Sequence, residues 1–177
     1  MIIGLTGKNA SGKGEAAEYL KKKSFTYYSL SDEIRLELKK QGLPETRQNL
    51  IVTGNRIREN EGPSALAKRI KEKISDKSII DSIRNPKEVE ELRSLPEFRL
   101  IAVDAPVDIR FKRAMARGRN ENALTLEDFK KMEEKENSND PKAQQLNSTI
   151  QLADINITNN GSVKELHEKI RIVLGLP

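Results

Sequence analysis

The 177-residue chain carries 32 Lys and Arg against 27 Asp and Glu, a formal net charge of +5, with 36% hydrophobic and 4% aromatic residues. Cys is absent, which excludes disulfides, thiolate metal sites and cysteine nucleophiles, and a lone His, His167, excludes two-histidine zinc chemistry. No run approaches the roughly 20 apolar residues of a membrane span, and three Tyr and four Phe without basic interleaving make a poor base-stacking surface.

These features predict a single domain over 1–177 in the cytoplasm, monomeric or homodimeric, with no membrane or nucleic-acid partner. The short apolar start, Met1-Ile2-Ile3-Gly4-Leu5, lacks the basic flank and length of a signal peptide.

In chain order, Ile2–Thr6 reads as a buried strand and Lys13–Lys23 as a helix with Ala16, Ala17 and Leu20 on one stripe. A strand is expected over Phe25–Ser29 and helices over Ser31–Gln41 and Arg47–Asn60. Pro63 opens another helix bearing Leu66, Ile70 and Ile74. Ser78–Asp81 reads as a strand, followed by a helix from Pro86. Leu100–Asp104 is the fourth strand and Val107–Arg117 the next helix. The polar stretch 118–151 predicts two helical pieces broken near Asn139-Asp140-Pro141. A last strand, Asp154–Thr158, leads to a helix opened by Ser162 with Glu165 three residues on, a capping-box spacing. Strands joined by crossovers of helical length predict a three-layer α/β fold: a mostly parallel five-stranded sheet, helices on both faces, and a helical lid over about 113–140. Ligands in such sheets bind beyond the carboxyl ends of the strands.

The first of those ends carries Gly7-Lys8-Asn9-Ala10-Ser11-Gly12-Lys13-Gly14, a G-x-x-x-x-G-K loop between strand and helix. Glycines let consecutive N–H groups point inward, and the head of the new helix adds positive potential, so the loop predicts a cradle for nucleotide phosphates. The expected contacts are Gly7, Asn9, Ala10, Ser11, Gly12, Lys13, Gly14 and Glu15. Position 14 carries Gly where a magnesium-binding hydroxyl is usual. The metal is then expected on water and on Asp81, the carboxylate ending the third strand.

The second strand leads into Ser29-Leu30-Ser31-Asp32-Glu33-Ile34-Arg35, where Asp32 and Arg35 project together from a helix start. Arg35 and Arg84 are cationic forks suited to phosphate. Arg110, Arg113 and Arg117, with Arg119 beyond them, predict a basic helical face that closes over nucleotide phosphates as a lid. Lys13, Arg84, Arg113 and Arg117 are the expected catalytic cations. Ser29, Ser31, Asp32, Arg35, Arg58 and Arg84 are the expected substrate contacts, within an acceptor region of about 29–74.

The chain resembles P-loop nucleoside monophosphate kinases. Gly12-Lys13-Gly14 is similar to the G-K-G of adenylate kinases, Ser29 to Arg35 resembles their S-T-G-D-x-L-R segment, and Ile80-Asp81-Ser82-Ile83-Arg84 resembles L-D-G-F-P-R with one residue fewer. That resemblance implies ATP and Mg²⁺ as cofactors, Arg35 and Arg84 on the acceptor phosphate, and Asp81 ordering magnesium. A second resemblance, to dephospho-CoA kinases, rests on Asp32 at the second Asp of their D-A-D. It also rests on Asn159-Asn160-Gly161-Ser162, similar to their N-x-G-S. It implies a base at Asp32 and an adenine-side loop at Asn160 and Gly161. The whole chain is similar to adenylate-kinase-related proteins and to the kinase-like segment of some deoxycytidylate deaminases, through Asp81-Ser82-Ile83-Arg84, Asp104-Ala105-Pro106-Val107 with Arg110-Phe111, and Leu152-Ala153-Asp154. The expected activity is phosphoryl transfer from ATP to a nucleoside or deoxynucleoside monophosphate. Dephospho-CoA kinase activity and a regulatory nucleotide-binding or slow ATPase module are the alternatives.

Overall fold

The computed structural model describes residues 1–118 and 125–177. Strands β1 (Ile2–Thr6), β2 (Thr26–Ser29), β3 (Ser78–Asp81), β4 (Phe98–Asp104) and β5 (Ile155–Thr158) form one sheet in the order β2-β3-β1-β4-β5. Every pairing is parallel, with Ile3 opposite Ile79 and Arg99, and Val103 opposite Ile157. The predicted parallel sheet is therefore found, and parallel throughout.

Alternation along each strand divides the core between two faces. Ile2, Ile80 and Leu100 pack with Leu30, Ile34, Ile57, Leu66, Ile70, Val89 and Leu92. These come largely from helices α2 (Leu30–Lys40), α3 (Arg47–Glu61), α4 (Ala65–Lys71) and α5 (Pro86–Leu92). On the other face Ile3, Leu5, Ile79, Ile101 and Val103 meet Ala16, Ala17 and Leu20 of α1 (Lys13–Lys22) and Leu166, Ile170 and Leu174 of α9 (Val163–Leu174). The remaining helices are α6 (Val107–Ala116), α7 (Leu126–Glu134) and α8 (Leu146–Gln151).

Local chemistry explains several boundaries. Thr46 caps α3 by accepting from the Asn49 N–H, and Ser162 caps α9 by accepting from the Glu165 N–H. Asn85 and Glu88 complete a capping box around Pro86 at the start of α5. The helix expected from Pro63 through Ile74 is shorter, because Ser64 is its cap and Ala65 its first residue; Ile74 packs on the core beyond its end. His167 stacks on Tyr19 at 4.6 Å between ring centroids, a packing role. Among the described residues, no helix is long and apolar enough to cross a membrane.

Candidate functional site

With all strands parallel, their carboxyl ends place Thr6, Ser29, Asp81, Asp104 and Thr158 along one edge of the sheet. The loop after β1 bends through Gly7 at φ +140°, Ala10 at +57° and Gly12 at +111°. A Cβ on Gly7 would collide with the Val103 carbonyl oxygen, and one on Gly12 with the Asn159 amide nitrogen, so both glycines are required by close approach as well as by φ. Helix α1 starts at Lys13 without a side-chain cap, and Gly14 and Glu15 are exposed in its first turn. Its leading N–H groups thus remain available to an anion.

The Lys13 ammonium donates to the carbonyls of Gly7 at 2.5 Å and Lys8 at 3.0 Å, folded back on its own loop. Burial pushes its pKa down from 10.5 to about 8, with Asp81 and Glu136 opposing the shift and Arg84 and Arg110 adding to it. Ser11 is 1% exposed. Its carbonyl accepts from Asn159 Nδ2 at 2.8 Å, while its buried hydroxyl has no partner. Asn159 is held in turn by its own N–H, which donates to the Asp104 carbonyl at 2.6 Å. Asn160 and Gly161, the expected nucleotide contacts in this loop, are exposed; the inward-facing residue is Asn159, one position earlier.

Beyond β2 and β3 lies a cluster of hydroxyls. The hydroxyls of Ser29, Ser31 and Ser82 lie within hydrogen-bond distance of one another, 2.8 Å between Ser29 and Ser31 and 3.3 and 3.2 Å from these to Ser82 Oγ. Ser82 adopts φ +65°, a conformation non-glycine residues rarely take, at the turn leaving β3. Its N–H donates to Asp81 Oδ1 at 2.6 Å, and the Tyr27 hydroxyl donates to Asp81 Oδ2 at 3.0 Å. Burial, then the Asp81 charge, pushes the Tyr27 phenol well above its ordinary range. Arg35 donates to Ser31 Oγ at 3.0 Å and Asp32 Oδ1 at 2.7 Å, and its Nε reaches Glu45 at 3.2 Å.

The remaining arginines divide by burial. Arg84 stays half-buried, with Nη1 at 2.7 Å from Glu136 Oε2. Arg47 reaches the other oxygen of Glu136 at 2.6 Å. Burial opposes charge on Glu136, but Arg84 and Arg47 outweigh it and hold the carboxyl below the usual range.

Arg58, expected on the substrate, is instead 1% exposed and paired with Glu88 at 2.7 Å. The second Glu88 oxygen accepts the N–H groups of Arg84 and Asn85, so Arg58 braces the β3–α5 turn from within the core.

Arg110 was expected on an open basic face but is 3% exposed. It donates to the Ala105 carbonyl at 2.8 Å and the Asn9 carbonyl at 3.3 Å, and pairs with Glu133 of α7. Arg113 donates to the Asn159 carbonyl at 3.0 Å, tying α6 to the loop that supports Ser11. Arg117, the residue capping the end of α6, is exposed, and Arg119 lies outside the described residues. Within the expected lid, α7 packs through Phe129, tilted against Phe111 at 5.8 Å. A cavity of about 300 Å³ opens between α6, α7 and α8, touching the phosphate loop only at Lys8.

No group of three or more acidic or His side chains among the described residues could by itself enclose a metal. Asp81 is the strand-end carboxylate that interacts electrostatically with Lys13, and Gly14 offers no hydroxyl. That donor set fits magnesium, which keeps several waters and takes its other ligands from substrate phosphates.

Residues 3–144 match the family model described as an AAA domain. The chain is 34% identical over 183 residues to a UPF0200 protein of Pyrococcus abyssi, spanning 98% of this chain and 95% of that one. It is 33% identical to a UPF0200 protein of Sulfurisphaera tokodaii over 98% and 95% of the two chains. In structure it is similar to TT1252 from Thermus thermophilus, with TM-score 0.61, 20% identity, and 99% and 96% coverage. It is also similar to shikimate kinase from Aquifex aeolicus, with TM-score 0.57, 18% identity, and 99% and 96% coverage. These structural likenesses show the P-loop kinase-like fold. Through its AAA-domain match and its UPF0200 relatives, the chain belongs to the UPF0200 family.

Proposed function

We propose that the protein transfers the terminal phosphoryl group of ATP to a phosphate oxygen of a nucleoside or deoxynucleoside monophosphate. The bond from the γ-phosphorus to its bridging oxygen breaks, a bond to the acceptor oxygen forms, and ADP leaves with a nucleoside diphosphate. The acceptor oxygen is already ionised, so the step asks for cations and positioning and needs no base. Lys13 would leave the Gly7 and Lys8 carbonyls for the outer phosphates, while the head of α1 and the loop amides cradle the donor. Arg35 and Arg84 would hold the acceptor, and Arg113 and Arg117 flank the donor side. Asp81 would hold magnesium through water; when bound, the ion neutralises phosphate charge.

One observation carries the choice of acceptor: Asp32, in the first turn of α2, and Asp81, at the end of β3, are both engaged by other groups. Asp32 is paired with Arg35 at 2.7 Å, and the Asp81 oxygens accept from Ser82 and Tyr27. A hydroxyl acceptor such as dephospho-CoA benefits from a free carboxylate base, whereas a phosphate acceptor needs the arginines. Gly14, in place of a metal-binding hydroxyl, supports the second reading, a slow ATPase used in regulation.

The test follows ADP formation with ATP, magnesium and a panel of acceptors. Turnover that depends on one monophosphate and is lost in Lys13→Ala supports the proposal. Turnover with dephospho-CoA alone, or hydrolysis indifferent to every acceptor, refutes it.

A further inference from the structure

Ser82, at the turn leaving β3, carries a hydroxyl that the chemistry above does not use. We propose that this hydroxyl is a binding contact for the acceptor nucleotide, donating its hydrogen to an oxygen or nitrogen of that ligand. This rests on the reading of a nucleoside monophosphate as acceptor.

The backbone around Ser82 is pinned on both sides. Its own N–H donates to Asp81 Oδ1 at 2.6 Å. One residue on, the Ile83 N–H donates to the Leu5 carbonyl at 3.3 Å, and the Ile83 carbonyl accepts from the Thr6 hydroxyl at 2.8 Å. These ties to β1 hold Ser82 at φ +65°, where a Cβ is strained and glycine is not. A turn that needed only this backbone path would be better served by glycine. The strain therefore points to a use for the side chain.

The hydroxyl is oriented as well as placed. In its contacts with Ser29 Oγ and Ser31 Oγ, the alignment admits Ser82 Oγ only as the acceptor. A serine hydroxyl carries one hydrogen and two lone pairs. The lone pairs of Ser82 thus face the two neighbouring serines, and its hydrogen points out of the trio, where among the described residues it meets no acceptor. Ser29 is buried, whereas Ser31 and Ser82 are half-buried, so the trio opens on their side.

Position identifies the ligand. Small molecules bind beyond the carboxyl ends of parallel strands, and Ser82 is the first residue past β3. Arg35, braced by Asp32 and Glu45, donates to Ser31 Oγ at 3.0 Å, and Ser31 Oγ lies 3.2 Å from Ser82 Oγ. Two hydrogen-bond lengths therefore separate the Ser82 hydroxyl from the guanidinium that the proposed function gives to the acceptor. A nucleotide held by Arg35 lies within reach of the free hydrogen. What the hydroxyl recognises is a hydrogen-bond acceptor, which a phosphate oxygen, a sugar hydroxyl and a base carbonyl or ring nitrogen all supply.

Calorimetric titration of nucleoside monophosphates and of inorganic phosphate into the wild type, Ser82→Gly and Ser82→Ala decides this without turnover. ADP is present throughout to fill the phosphate loop. A monophosphate that binds the wild type is expected to bind both variants about three- to tenfold more weakly, the worth of one hydrogen bond. Glycine adopts φ +65° freely, and alanine keeps the Cβ while removing only the hydroxyl, so an equal loss in the two belongs to the hydroxyl. A matching loss for inorganic phosphate assigns the contact to the phosphate, and a loss confined to the nucleotide assigns it to the sugar or base; either result supports the proposal. Unchanged or tighter binding in either folded variant overturns it and leaves the monophosphate reading intact. If no monophosphate binds the wild type, that reading fails and this proposal falls with it. Should Ser82→Ala fail to fold, Ser82→Gly alone decides.

Discussion

Replacing Asn159 by Ala removes one side-chain contact and leaves the backbone path intact. The Asn159 amide donates to the Ser11 carbonyl at 2.8 Å, with the two residues 5% and 1% exposed. The Asn159 N–H to Asp104 and the Arg113 donation to the Asn159 carbonyl involve only its main chain and persist. The substitution therefore strands a buried carbonyl, at a cost of about 1–3 kcal/mol. For a chain of this size that corresponds to a drop in Tm of roughly 2–12 °C. A cycle with Gly12→Ala sharpens the reading. In the wild type, a Cβ at Gly12 meets Asn159 Nδ2 in addition to the strain of φ +111°. In the Asn159→Ala background only the backbone cost, about 1–2 kcal/mol, should remain. Differential scanning calorimetry of the four proteins reads both quantities. An unchanged Tm in Asn159→Ala, together with strictly additive effects, would show that this amide does not buttress the loop.

Two further outcomes follow from buried charge. In the free protein Lys13 loses its proton near pH 8, well below its ordinary 10.5. Bound polyphosphate keeps it protonated to higher pH, so ADP binding above pH 8 takes up a proton and weakens by up to about tenfold per pH unit. The apo fold moves oppositely through this group, gaining stability as pH rises from about 8 towards 10.5, because only the unfolded chain still holds the proton. An ADP affinity that is flat from pH 7 to about 9.5 contradicts the assignment. Arg58→Ala should leave Glu88 charged and unpaired in the core and cost about 3–5 kcal/mol. That loss is visible as a large fall in Tm, whereas a changed acceptor KM at unchanged Tm would return Arg58 to the substrate site.

What the residues reveal in sequence is what depends on near neighbours. Gly7, Gly12 and Lys13 are legible because a strand, a loop of fixed length and a helix head are consecutive, and the β-branched run Ile79-Ile80 before Asp81 marks a buried strand end. Helical spacing places Arg110, Arg113 and Arg117 on one helix, but it carries no information about the countercharge. Glu133, which buries Arg110, is 23 residues away, and Glu88, which buries Arg58, is 30 away. Asn159 reaches Ser11 across 148 residues, and nothing local distinguishes it from Asn160. Arg47 carried a weak signal as a cation just inside the Thr46 cap. Glu136 carried none, since one Glu among many in a polar stretch becomes distinctive only once the two arginines converge on it.

The central claim is that amides at the head of α1, with Lys13, grip a polyphosphate. Calorimetric titration of ADP with magnesium into the wild type and Lys13→Ala tests it most directly. Saturable one-to-one binding that weakens at least about tenfold in Lys13→Ala is the predicted result. The absence of binding heat in the wild type, or equal affinity in the two proteins, would contradict it.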